Sequence, residues 1–154
     1  MSAPGPRTVL VALWRMSRPA QLALIALVYA LGVAMAAGRG ATVDPVRVGL
    51  GLAALLPVAA SVHYANEYAD VETDARTDRT PFSGGSGALA DTGLDPRLGL
   101  AAAVASGAVG MALLVPTSLA AGDSGLPTVA AALLVGILVV GWQYSVGPLR
   151  LAWR

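Results

Sequence analysis

VGLGLAALLPVAASVHYANEYA, residues 48–69, is a run of small and aliphatic residues that turns polar only in its last seven positions. Its length decides the fold class. About 20 helical residues, rising 1.5 Å each, cross a ~30 Å hydrocarbon core. Backbone groups in lipid must be satisfied within the segment, and the run lacks the alternation of a barrel strand. It therefore reads as a transmembrane helix.

Three more runs of this kind follow the same rule, at about residues 20–37, 98–121 and 127–144. The expected architecture is all-α: a polytopic membrane protein with four transmembrane helices, forming a single membrane domain over 1–154. Composition agrees. Hydrophobic residues make up 56% of the 154-residue chain and charged residues only 12%, about half the ~25% of a soluble domain. Mean hydropathy is +0.68. Without cysteine, disulfide frameworks and zinc–thiolate sites are excluded. Pro57 and Pro116 are expected to kink the second and third helices, while abundant Gly and Ala allow close helix approach. Ala34-Met35-Ala36 resembles a signal-peptide cleavage site. The apolar run is long for a signal sequence and nineteen residues precede it, so a retained helix is expected.

All ten basic residues are arginines, a usage that suggests a high-GC genome. Arg7, Arg15 and Arg18 precede the first span, Arg76, Arg79 and Arg97 lie between the second and third, and Arg150 and Arg154 follow the fourth. Arg39 and Arg47 alone sit in the opposite loop. This imbalance places both termini and the loop of about 70–97 in the cytoplasm. The loop's core, PFSGGSGALADTG, is rich in Gly and Ser and is expected to be irregular.

Where the second span leaves the membrane, Asn66, Asp70, Asp74 and Asp78 recur every four residues. On a continuous helix the first three form one ridge roughly 12 Å long. Carboxylates at a helix C-terminus oppose its dipole, and like charges four apart repel. A bound divalent cation reverses both terms, and magnesium prefers one or two carboxylates plus a phosphate. The ridge thus suits a magnesium–diphosphate site, or else a solvated helix end balanced by Arg76 and Arg79. His63 and Asn66 lie within the apolar run, so they are expected to face a polar cavity or another helix. For His63 an interhelical hydrogen bond is the simpler role. Glu67 either pairs with an arginine or reaches water. Glycines 84, 85 and 87 can direct backbone N–H groups at an anion, or simply make a flexible loop. Arg79 is able to grip a phosphate bidentately, or serves as a positive-inside anchor.

Asn66-x3-Asp70-x3-Asp74, followed by Asp78-Arg79-Thr80-Pro81 and Gly84-Gly85-Ser86-Gly87, resembles the UbiA-type membrane prenyltransferases. Arg18-Pro19 before the first span is similar to that family's opening Arg-Pro. Tyr144-Ser145-Val146-Gly147-Pro148 after the fourth is similar to its Tyr-Ser-x-Gly-Pro segment. The glycine loop is closest to the dihydroxynaphthoate-type members. The resemblance spans essentially the whole chain and matches the family's N-terminal half, in the cytoplasmic membrane of a bacterium or archaeon. It implies transfer of a polyprenyl group from its diphosphate to an acceptor, an aromatic ring of the quinone-precursor type. It also implies Mg2+ held by Asn66, Asp70 and Asp74 as catalytic and metal-binding residues, with Arg79 and Asp78 on the diphosphate. The family's second Asp-rich motif has no counterpart: after Asp78 the acids are Asp91, Asp95 and Asp123. A C-terminal half is therefore an expected partner for catalysis. The alternative is a non-catalytic four-helix scaffold. A transporter is disfavoured, because no span carries a charge near its centre.

Overall fold

The computed structural model describes residues 4–74, 85–119, 128–146 and 148–149. Among them it is all-helical: α1 (Pro6–Met16), α2 (Pro19–Gly38), α3 (Pro45–Ala69), α4 (Val71–Asp74), α5 (Ala88–Thr92), α6 (Arg97–Leu119) and α7 (Thr128–Ser145). Four of these, α2, α3, α6 and α7, are long and apolar enough to cross a membrane. The chain is an integral membrane protein, with four candidate spans among the described residues.

The span boundaries follow local chemistry. α3 begins three residues before the expected Val48 because Asp44 caps it. The Asp44 Oδ1 accepts from the Val46 N–H at 2.8 Å, and Pro45 takes the first helical position. α3 remains one helix across Pro57, and α6 across Pro116. Two short helices were not anticipated. α1 opens on Pro6, and the chain leaves it through Ser17 and Arg18. Arg18 adopts left-handed backbone geometry, φ 54°, immediately before Pro19. α5 is a single turn inside the loop expected to be irregular. It is framed by Gly87 and Gly93, both at positive φ, and its Ala88 and Leu89 are buried against Ala12 and Met16 of α1. Packing under α1 orders this turn.

α3 is the central element, packed against α2, α6 and α7. Its contact with α6 follows a stripe of small residues, Gly99, Ala103, Gly107 and Gly110, spaced to share one helix face. At Gly110 a β-carbon would lie 2.7 Å from Val58 Cγ2, and at Gly141 of α7 one would lie 2.5 Å from Val62 Cγ2. Only a bare backbone permits that approach. One hydroxyl joins all three helices: Ser61 Oγ donates to the Ala103 carbonyl at 2.7 Å and accepts from Trp142 Nε1 at 3.0 Å. Burying this serine in an apolar interior costs little because its hydrogen-bonding capacity is used. By contrast, α2 has no buried residue, and the Tyr29 hydroxyl ties it to the Val48 carbonyl. Its aliphatic side chains are free to meet lipid.

Gly110→Val is expected to destabilise the fold by ~1–3 kcal/mol through overpacking. Denaturant titration of the detergent-solubilised protein measures it. The same substitution at Gly32 of α2, where nothing lies within 4 Å of a β-carbon, is expected to be close to neutral.

Candidate functional site

The last two turns of α3 bring His63, Tyr64, Asn66 and Glu67 to one end of the bundle, with Asp70 as the helix C-cap. The α1–α2 junction meets this end first. The Tyr64 hydroxyl donates to the Leu13 carbonyl at 3.1 Å, and His63 Nδ1 lies 2.8 Å from the Ser17 carbonyl. A carbonyl only accepts, so Nδ1 carries the proton. His63 thus makes the interhelical hydrogen bond expected of it.

Glu67 is 3% exposed, and its carboxylate is fully engaged. Oε1 accepts from Arg18 Nε at 3.0 Å, Arg18 Nη2 at 2.8 Å and the Ser86 backbone N–H at 2.8 Å. Oε2 accepts from Ser86 Oγ at 2.6 Å. Of the two roles open to Glu67, pairing with an arginine is the one observed. The glycine loop does aim a backbone N–H at an anion, with Gly85 and Gly87 at positive φ on either side, but that anion is Glu67 itself. Arg15 holds the same loop from the other flank, donating to the Ser86 carbonyl at 2.9 Å and to Asp91 Oδ2 at 2.7 Å.

Asn66 Oδ1 accepts a hydrogen bond from the Ser145 hydroxyl at the end of α7. It faces a neighbouring helix, as its place in the apolar run required. The ridge expected from four-residue spacing is interrupted: α3 stops at Ala69, Asp70 caps it, and Asp74 belongs to the separate turn α4. Among the described residues Asp70 is hydrogen-bonded through its backbone alone. Its N–H donates to the Asn66 carbonyl, and its carbonyl accepts from Thr73 Oγ1, both at 2.9 Å. Burial pushes the Asp70 carboxyl above its ordinary value; the Glu67 charge adds to this and Arg18 opposes it. The side chain of Asp74, and all of Asp78, Arg79 and Gly84, lie outside the described residues. Among the described residues no three His, Cys, Asp or Glu side chains gather around one point. Those present, an amide oxygen and a carboxylate one turn apart, suit a hard cation whose remaining ligands come from a phosphate and water.

Two of the three later acids have structural tasks, and Asp123 lies outside the described residues. Asp91 pairs with Arg15, and Asp95 Oδ1 accepts from the Arg97 N–H at 2.8 Å at the start of α6. Beside the polar end, an open groove of about 400 Å3 runs between α3, α6 and α7, lined by Ser61, Gly107, Met111, Leu138, Trp142 and Gln143 among others. Sequence reasoning missed the partners rather than the residues. A buried acid at the end of a span announces the need for a cation, but several arginines lie on the same side and spacing does not choose among them. In comparisons with known proteins, no family model, no curated protein and no solved structure matches the chain.

Removing the buried Glu67 carboxylate leaves Arg18 and Ser86 without their acceptor, so Glu67→Ala is expected to cost ~3–5 kcal/mol. Asp91→Asn at the exposed pair is expected to cost under ~1 kcal/mol. Unfolding titrations of the two variants side by side check the contrast.

Because the folded state favours protonated Asp70, its stabilising contribution is present at acid pH and is lost as pH rises through the raised folded-state value. Asp70→Asn is accordingly expected to flatten the fall in melting temperature as pH rises from the ordinary carboxylate range, measured in metal-free buffer.

Proposed function

We propose that this chain is the N-terminal half of a UbiA-type prenyltransferase and binds a prenyl diphosphate through magnesium at the cytoplasmic end of α3. The observation that supports this best is a convergence. Arg18, Asn66 with Glu67, Ser86 and Ser145 come from the four segments that carry the family resemblance, and they are joined by hydrogen bonds at one end of the bundle. Residues so far apart in sequence have no local reason to meet.

In this reading Asn66 and Asp70, with Asp74 on the following turn, offer hard oxygen ligands at the membrane surface. Arg79 and Asp78 act on the diphosphate. Bound magnesium would supply charge neutralisation for the departing diphosphate. The chain's own part is to hold the ligands in place and to keep water from the reacting carbon. Glu67 fixes the end of α3 to Arg18 and to the glycine loop. The groove beside Ser61 and Trp142 offers a largely apolar bed for an isoprenoid tail. Transfer breaks the allylic C–O bond, releases diphosphate and joins the prenyl carbon to an acceptor, here an aromatic ring that then loses a proton. Binding of the diphosphate is the activity proposed for this chain by itself. The arginine distribution supports a cytoplasmic face for the site, in a bacterial or archaeal membrane.

One observation favours the second reading, a scaffold without chemistry: the polar groups of Asn66 and Glu67 are already satisfied within the fold. Asp70 separates the two. The experiment is titration of geranylgeranyl diphosphate into the purified protein, with magnesium or with a chelator. The expected outcome is magnesium-dependent binding that Asp70→Ala and Asp74→Ala each weaken at least ~10-fold, about 1.4 kcal/mol, while the exposed Glu72→Ala leaves it unchanged. Binding by both aspartate variants equal to the unaltered protein, or equally strong in chelator, would overturn the reading.

A further inference from the structure

α1 has eleven residues, about 16 Å at 1.5 Å per residue, and is too short to cross a ~30 Å hydrocarbon core. Its helical phase divides it into two apolar faces. Val9, Ala12, Leu13 and Met16 point one way; Ala12 and Met16 are buried, packed with Ala88 and Leu89. On the opposite side, Arg7, Leu10, Val11 and Trp14 form a second stripe at helical spacing. That stripe is uncovered: Leu10 is 67% exposed, Val11 49% and Trp14 66%. Thr8 and Arg15 lie on the flank between the faces.

The depth of α1 is set by what it touches. The Leu13 carbonyl receives the Tyr64 hydroxyl, and Tyr64 lies five residues, about 7.5 Å along the axis, inside the end of α3. Val71, just beyond that end, packs against the same cluster of α1 residues. Three residues after α1 the chain enters α2, a span without a buried side chain, at Pro19. α1 therefore sits level with the boundary where two spans leave the hydrocarbon. An amphipathic helix at that level buries its apolar face ~5–10 Å into the zone between headgroups and acyl chains. Trp is the side chain favoured there, since its ring is apolar and its N–H seeks a polar partner. Arg7, on the same stripe, is placed to meet anionic headgroups.

We infer that the outer face of α1, Arg7, Leu10, Val11 and Trp14, is a membrane-interface surface that docks into the headgroup region of an anionic bilayer and anchors the α1–α2 junction there. A second copy of the chain or a soluble partner would cover the same residues by different means, and the test distinguishes them.

The full-length protein is reconstituted in vesicles of phosphatidylcholine and phosphatidylglycerol. Bromines are placed either near the headgroup end of the acyl chain or near its terminal methyl. The difference in fluorescence between the unaltered protein and Trp14→Phe isolates Trp14 without disturbing Trp142. The expected result is a blue-shifted Trp14 component that loses most of its intensity to the shallow bromines, less to the deep ones, and little to aqueous iodide. The chain has no cysteine, so Leu10→Cys carrying a nitroxide gives an independent reading. It is expected to be relaxed more by oxygen, which concentrates in lipid, than by a water-soluble nickel chelate. Quenching of Trp14 by iodide but not by bromolipid would place the stripe in water and overturn the inference. Shielding of both probes from all reagents would overturn it equally, by placing a protein surface over α1.

Discussion

A carboxylate at the edge of a hydrocarbon slab, with almost none of its surface reaching water, persists as an ion only if donors surround it. Glu67 meets four: two from the Arg18 guanidinium, one from the Ser86 backbone and one from the Ser86 hydroxyl. Most of what is distinctive about this end of the molecule answers to that requirement. Arg18 holds a left-handed backbone conformation, which costs an L-residue roughly 1–2 kcal/mol. That geometry turns the chain sharply between α1 and α2 while the guanidinium faces α3. The glycine loop is drawn in because its Ser86 supplies the remaining donors. Arg15 and Asp91 then close the loop from outside, where their more exposed pair adds less.

The same requirement explains why a short helix and a single helical turn, α1 and α5, are ordered beside four spans. Once Arg18 and Ser86 are fixed to Glu67, the segments next to each are held close together. Met16, two residues before Arg18, and Ala88, two residues after Ser86, are then near enough to share one small apolar cluster with Ala12 and Leu89. Polar pairing sets the register and apolar burial rigidifies it. In the middle of the bundle the order is reversed. There the small residues of α6 and α7 bring the backbones together, and Ser61 with Trp142 adds the hydrogen bonds that such proximity makes possible.

The spans were legible because their signal is local and long: each run is near the length that lipid demands, although the Asp44 cap that starts α3 at Pro45 was not read. α1 was not, since eleven residues with two arginines and two apolar faces show no single stripe against a polar background. α5 was masked by its glycines, and its order comes from contact with a helix more than seventy residues earlier in the chain. For the candidate site, the residue types were readable and their company was not. That His63 and Asn66 must face a polar cavity or another helix followed from the cost of a polar group in lipid. That their partners are the Ser17 carbonyl and the Ser145 hydroxyl depends on the packing of α3 against its neighbours. The break at Asp70 was likewise hidden, because four-residue spacing is the same whether a helix continues or ends and restarts.

That break bears on what the acidic end can do. Along the final turns of α3 the polar groups differ in how completely the fold uses them. His63, Tyr64, Asn66 and Glu67 each engage the α1–α2 junction, the glycine loop or α7, and their bonds define the rigid frame. Asp70, the C-cap, terminates the helix with its backbone while its carboxylate, partly desolvated, has no hydrogen-bond donor among the described residues. The fold thus satisfies the inner acid fully and leaves the outer one at the rim. A rigid frame beneath an under-compensated anion is the arrangement a cation-dependent ligand would need, because little ordering remains to oppose binding. Arg18 offsets part of the cost of the Asp70 carboxylate, and a bound cation would offset more.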